Sequence, residues 1–298
     1  MDDLESIRRQ IRSTETLHSV VRTMKVLSMT SIHQCEQAVD SLTDYERTVR
    51  LGLKAALRHR PRGTSVAPTG GARLGVVVFG SAWGMCGRFN EQIAGFAAER
   101  LAEAGNETEH VLGLGDLIGG RLEDVGHAPD RTLEAPDAVD QITPRVQDLL
   151  VEVEQWRTDE QIRKVLLFHN ETTSRTSFAP TMQQLLPLDH RWLDTLEEEP
   201  WPTKMIPAFR MDWEPLFAAL VRQYLFVSLY RAFAESLAGE HSSRLAAMQA
   251  AEDNAEERLD DLQMRFNRQR QNAITEELLD ITSGYEALST ADSSRPSG

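Results

Sequence analysis

The chain has 298 residues, 41% of them hydrophobic and 6% aromatic, and carries a formal charge of −14 with a pI near 5.1. That length permits one large domain or two ordinary ones, and the thin aromatic share leaves part of the chain outside a compact core. The acidic balance works against tight binding to nucleic acid, which is not expected as a partner, because a polyphosphate strand has to be met by a basic surface. Two cysteines, Cys35 and Cys86, build neither a disulfide framework nor a four-ligand zinc site, and fit a reducing compartment.

No apolar run approaches the roughly 18–20 residues that span a bilayer. The opening "MDDLESIRR" has acids where a signal or transit peptide is basic, so any link to a membrane is expected to pass through partners.

Residues 2–57 hold no proline, and their only glycine is Gly52. Apolar side chains at Leu4, Ile7, Ile11, Leu17, Val21, Met24, Ile32, Cys35, Val39, Leu42, Tyr45 and Val49 are spaced mostly in threes and fours. This is a narrow seam on one long helix, the pattern of a coiled-coil strand, and the helix is expected over 1–57. The stretch "RHRPRGTSVAPTGGAR" gathers proline, glycine and small polar residues, and reads as a linker over 58–73.

From Leu74 the texture changes. Short apolar runs in "RLGVVVFG", "EHVLGLG" and "RKVLLFHN" alternate with the helical stretches "NEQIAGFAAERLAEAG" and "DAVDQITPRVQDLLVEVEQWR". Such alternation predicts βαβ units, a mainly parallel sheet and a Rossmann-like α/β head over 74–207, closed by the proline-rich "EEEPWPTKMIPAF". A second long helix follows, expected over 208–288, and "STADSSRPSG" at 289–298 reads as a disordered tail.

At 1.5 Å per residue the two terminal helices reach about 80 and 115 Å, too long for a compact domain. An antiparallel coiled coil carrying the head is the expected architecture, with the C-terminal helix running past its partner. Its last part, "SSRLAAMQAAEDNAEERLDDLQMRFNRQRQNAITEELLDI", is weakly apolar all round.

Candidate chemistry centres on "GVVVFGSAWGMCGRFN". Cys86 as a nucleophile needs a base and a setting that lowers its pKa, and no local signature supplies either. Gly80, Gly84 and Gly87 resemble a phosphate cradle only loosely, because Gly87 is followed by Arg88 and Phe89 rather than by Lys-Ser/Thr. "GLGDLIGGR" lacks the spacing of a dinucleotide loop. Gly84, Cys86, Gly87 and Asn90 therefore read as a structural turn, and no cofactor is expected. Metal-ligand spacing is also missing, so no metal site is expected, and "EEE" at 197–199 reads as a solvated linker.

Four ordered segments carry a resemblance to a known family. "LYRAFAESLAGEHSSRLAAMQAAEDNAEERLDDLQMRFNRQRQNAITEELLDITSGYEAL", "SIRRQIRSTETLHSVVRTMKVLSM", "SAWGMCGRFN" and "SFAPTMQQLLPL" together resemble the gamma subunit of rotary ATP synthases. "LHSVVRTMKVLSM…YERTVRLGL" is similar to the divergent branch called N-type ATPases, proposed to move sodium.

The resemblance implies a non-catalytic central-stalk shaft that couples rotation of a membrane ring to nucleotide binding in the catalytic ring. The implied partners are the alpha and beta subunits, an epsilon-type stalk subunit and the ring of c-type subunits. The implied location is peripheral, on the cytoplasmic face of a bacterial plasma membrane. Met24, Arg244, Arg270, Gln271 and Thr275 match family positions that lie near beta-subunit contacts or tune coupling.

The chain departs from the family pattern at Ala82, Trp83 and Arg88. It departs again at Ser31, His33 and Gln34, which stand at positions where the family is basic. Two other readings stand beside this one: an unrelated coiled-coil scaffold with an α/β head, and a hydrolase using Cys86.

Overall fold

The computed structural model describes residues 2–61, 73–104, 108–174, 177–202, 204–205 and 208–293. The chain divides into two compact units, Met1–Val26 with Met248–Gly298, and Leu27–Ala247. Helix α1 runs over Asp2–Arg58 and helix α6 over Trp213–Ser293, and each contributes residues to both units. Residues 289–293, expected in a disordered tail, belong to α6, while 294–298 lie outside the described residues. Most of the linker expected at 58–73 likewise lies outside them.

Within the second unit the head elements are β1 (Leu74–Phe79), α2 (Phe89–Ala104), β2 (Thr108–Leu114), α3 (Ile118–Asp124), β3 (Arg131–Leu133), α4 (Ile142–Thr158), β4 (Lys164–Ser174), β5 (Ser177–Leu186) and α5 (His190–Glu198). They form a five-stranded sheet in the order β3-β2-β1-β4-β5. Strands β1 to β4 pair in parallel, and β5 returns antiparallel to β4.

All six residues of β1 are buried, as a central strand covered on both faces requires. Its alternation separates two cores. Val77 and Phe79 face α4 and α6 with Leu149, Val153, Leu229 and Phe233, whereas Leu74, Val76 and Val78 face α2 and α3 with Ile93, Ala97 and Ile118. A third cluster joins Leu53 and Leu57 of α1 to Leu193 and Leu196 of α5 and Val227 of α6.

The terminal helices pair antiparallel in each unit. In the first, Lys25 meets Gln249 and Glu252, His18 meets Glu256, and the Arg8 guanidinium lies over the Phe266 ring. In the second, Trp213 Nε1 donates to the Ala56 carbonyl, Tyr45 Oη to Gln223 Oε1, and Arg231 to Glu46.

Burial along α1 follows a strict alternation of three and four through Ile7, Ile11, Thr14, His18, Val21, Lys25, Ser28, Ile32, Cys35, Val39, Leu42, Glu46 and Val49. Leu17 and Tyr45, expected in the seam, are instead exposed at 58% and 43%, because His18 and Glu46, one place further on, hold the inward positions and meet charges on α6.

The acidic run at 197–199 is not a solvated linker throughout. Glu199 caps α5 and receives Arg50 and the buried Lys54, whose ammonium also donates to the Pro200 carbonyl at 3.1 Å. This clasp holds α5 against α1.

Candidate functional site

Among the described residues, the loop between β1 and α2 forms a densely hydrogen-bonded polar site. Asn90, in the first turn of α2, turns its amide back over the loop: Oδ1 accepts from the Ser81 N–H at 2.9 Å, and Nδ2 donates to Ser81 Oγ at 2.8 Å. The Cys86 thiol points into the same knot, 3.5 Å from Ser81 Oγ and 3.8 Å from Asn90 Nδ2. Met85 and Gly87 both take left-handed backbone angles, φ 59° and 57°, which glycine tolerates freely and methionine does not.

Cys86 is thus buried among a hydroxyl and an amide, neither of which can act as the base that a thiol nucleophile requires.

The knot is fastened to α6. Glu240 Oε2 accepts from the Ala82 N–H at 3.1 Å, and Oε1 pairs with Arg244 one helical turn on, at 2.5 Å. The Arg244 guanidinium also donates to the Trp83 carbonyl at 3.1 Å and to the Gly84 carbonyl at 3.2 and 3.3 Å. Ser243 Oγ donates to the Cys86 carbonyl at 2.6 Å. A planar, five-donor fork suits this task, since one side chain satisfies a carboxylate and two carbonyls together.

Both members of the ion pair are almost fully buried, with side chains 6% and 3% exposed. Burial pushes the Glu240 carboxyl above its usual range, while Arg244 and the loop N–H groups pull it back. Next to them His241 is held down at about 4, by burial first and then by the Arg244 charge, so it is neutral at pH 7. It accepts from Arg244 at Nδ1, 3.2 Å away.

Gly239 makes the close approach possible. A Cβ there would stand 3.2 Å from Asn170 Cβ and 3.4 Å from Phe178 and Phe89, so the helix passes against the head where a side chain would wedge them apart. Around it Asn170 and Ser236 are buried, as is His169, whose Nε2 lies 3.4 Å from Glu235.

On the other side of the loop, beyond the carboxyl ends of β1 to β3, lies an open cavity of about 520 Å³ lined by Trp83, Asp116, Leu117, Glu134, Asp137 and Arg145, among others. Small ligands of doubly wound sheets commonly bind at this end. Here Asp116, Glu134 and Asp137 set negative charge where a phosphate would sit, and Arg145 is already paired with Glu134 and Asp148. Trp83, 64% exposed, and Leu117, also exposed, add apolar surface to the lining of the cavity.

The site residues expected from the sequence are therefore separated. Gly84, Cys86, Gly87, Asn90 and Arg244 come together in the second unit. Met24 is half-buried on α1, and Arg270, Gln271 and Thr275 are exposed on α6, all four in the first unit. The Thr275 hydroxyl donates to the Gln271 carbonyl within its own helix at 2.9 Å. Glu240 and Ser243 were not expected. Their signal is the helical spacing Glu240…Arg244 beside a mid-helix glycine and the small residues Ser236, Ala238, Ser242 and Ser243.

Of the departures from the family, Arg88 is exposed and forms a two-pronged pair with Glu91 at 3.1 Å. His33 is exposed near Glu36 and Gln37.

The architecture is thus two terminal helices paired antiparallel, with a doubly wound head inserted between them in the chain and held onto the second helix. The family model described as ATP synthase matches residues 3–288. The ATP synthase gamma chain of Granulibacter bethesdensis is 30% identical over 311 residues, covering 97% of this chain and 100% of its own. That of Nitrosomonas eutropha is 26% identical over 307 residues, with the same shares. A chain in the cryo-EM structure of the Euglena gracilis mitochondrial ATP synthase, OSCP/F1/c-ring in rotational state 3, is similar in fold, with a TM-score of 0.61 and 18% identity over 99% of this chain and 97% of that one.

The protein belongs to the ATP synthase family, among its gamma chains.

Proposed function

We infer that the protein is the central-stalk shaft of a rotary ion-translocating ATP synthase, turning inside a ring of alpha and beta subunits and standing on a ring of c-type subunits beside an epsilon-type stalk subunit. It carries out no covalent chemistry of its own. Its work is to present different faces to the catalytic subunits as it turns and so to bias them among states of different nucleotide affinity. It acts at the cytoplasmic face of a bacterial plasma membrane, held there by its partners. Among the described residues no helix is long and apolar enough to cross a membrane.

The observation that carries this reading, beyond full-length family membership, is the end of α6. After the contact of Arg8 with Phe266, the helix continues to Ser293, and Ile274, Leu278, Leu279 and Ile281 stand exposed on it, from 47% to 64%. Ile274, Leu278 and Ile281 fall at helical spacing, i, i+4 and i+7, so they form one stripe. A soluble protein leaves such a stripe open where another chain receives it.

The stripe is modest, which suits a turning surface: each further aliphatic side chain locked into a pocket would hold it by about 1.5–3 kcal/mol. Arg270, Gln271 and Thr275 sit beside the stripe as polar contacts to the ring, and Met24 is a separate contact on α1, next to Lys25, which meets Gln249 and Glu252. Arg244 influences coupling from within, by holding the head loop to α6. With Ser31, His33 and Gln34 at positions where the family is basic, attraction to acidic loops of the ring is weaker.

The test is co-purification followed by turnover. The chain is expected to isolate with alpha, beta and c-type subunits, and Arg270→Ala is expected to lower ATP-driven ion pumping of the complex while leaving its assembly unchanged. A chain that never associates with those subunits refutes the reading.

A further inference from the structure

The first unit contains a cluster that the rotor role does not use. On α1, His18 occupies an inward seam position, while Leu17 beside it faces solvent. Across from it on α6, Glu252 and Glu256 stand one helical turn apart on the same face. The His18 Nε2 lies 3.3 Å from Glu256 Oε1. One ligand atom from each of His18, Glu252 and Glu256 falls within 4.8 Å of the others.

We propose that His18, Glu252 and Glu256 form a binding site for a divalent transition-metal ion of the zinc class, which clips α1 to α6 within this unit.

The donor set fixes the class. One imidazole nitrogen and two carboxylate oxygens suit zinc, whereas calcium and magnesium prefer all-oxygen shells, and the lack of thiolates disfavours copper(I). With zinc bonds of about 2.0–2.1 Å, tetrahedral ligands stand roughly 3.3 Å apart. Two glutamates with three side-chain torsions each can close that difference, and water fills the fourth place, since Glu256 is 63% exposed.

Charge also matters. Lys25 pairs with Glu252 through Oε2. The Lys25 pair leaves Oε1 of Glu252 for the metal, with the lysine as an outer partner that orients the carboxylate but repels the cation. The gain to the protein is local: Thr14, His18 and Lys25 make this part of the α1 seam polar, so apolar packing alone holds the helices weakly here. A metal bond across the pair resists their separation. The proposal is read on the chain alone and does not depend on the rotor role.

The experiment uses the full-length chain stripped with a chelator, with Zn²⁺ titrated against a chromogenic competitor and Co²⁺ as the spectroscopic probe. The wild type is expected to take up one metal per chain, to show the visible bands of four-coordinate cobalt with nitrogen and oxygen ligands, and to melt higher with zinc. His18→Gln and Glu256→Gln, both of similar shape and polar, are each expected to weaken binding by about tenfold or more with helix content unchanged. Lys25→Met is expected to tighten it several-fold, and His33→Ala, on the same helix, to leave it as it was. No uptake by the wild type, or uptake that survives both His18→Gln and Glu256→Gln, overturns the proposal. So does a loss in His33→Ala equal to that in His18→Gln.

Discussion

Replacing Arg244 by methionine tests whether the head loop is locked to α6. The substitution keeps most of the aliphatic stem and removes the guanidinium. Glu240, 3% exposed, then loses its cation and keeps the Ala82 N–H, while the Trp83 and Gly84 carbonyls lose their donor. Breaking a buried pair by removing one partner costs about 3–5 kcal/mol, because the remaining charge is left uncompensated. For a unit of 150–250 residues each kcal/mol moves the melting temperature by about 2–4 °C, so the expected fall is roughly 6–20 °C. Thermal and urea unfolding of the isolated chain, followed by circular dichroism, measures it. Glu240→Gln should cost less, and the double variant should cost less than the sum, with a coupling of about 0.5–3 kcal/mol. A loss under about 1 kcal/mol in Arg244→Met, or strict additivity, refutes the lock.

The same site makes stability depend on pH. His241 titrates at about 4 in the folded chain against 6.5 ordinarily. The unfolded chain therefore binds a proton that the folded chain refuses, and stability present above pH 6.5 is lost as pH falls toward 4, by about 3 kcal/mol in all. Urea unfolding at stepped pH measures this, and His241→Asn should flatten that part of the profile; an unchanged slope removes His241 as its source. Two glycines in helices should respond with opposite signs. Gly95→Ala, where a Cβ meets nothing within 4 Å, should stabilise by about 0.5–1 kcal/mol in thermal melts, whereas Gly239→Val, aimed at Asn170, Phe178 and Phe89, should destabilise by about 1–3 kcal/mol.

Much of the fold is legible in the sequence because its period is. The threes and fours of α1, the buried run of β1 and the alternation that follows each reflect a backbone geometry that apolar residues report directly. What escaped has a common cause: polar residues doing inward work. His18, Lys25 and Glu46 hold seam positions that an apolar count assigns to Leu17, Met24 and Tyr45, and Ser28 holds one that the count leaves empty. Strand β5 carries Pro180 and the polar run of Thr181, Gln183 and Gln184, and α5 is short, so neither announces itself. At the site, the turn around Cys86 is visible from its glycines, and Arg244 from its family position. The pairing of Arg244 with Glu240, and through it with a loop some 160 residues earlier, depends on tertiary contact that no local pattern encodes.

The central claim is that this chain turns. Both native cysteines are buried, so a single Arg100→Cys on the exposed side of α2 gives one reactive thiol for a biotin and a bead. With the alpha and beta subunits immobilised and ATP supplied, the account predicts sustained rotation of the bead in one direction. A complex that hydrolyses ATP while the bead stays fixed or only fluctuates would contradict it.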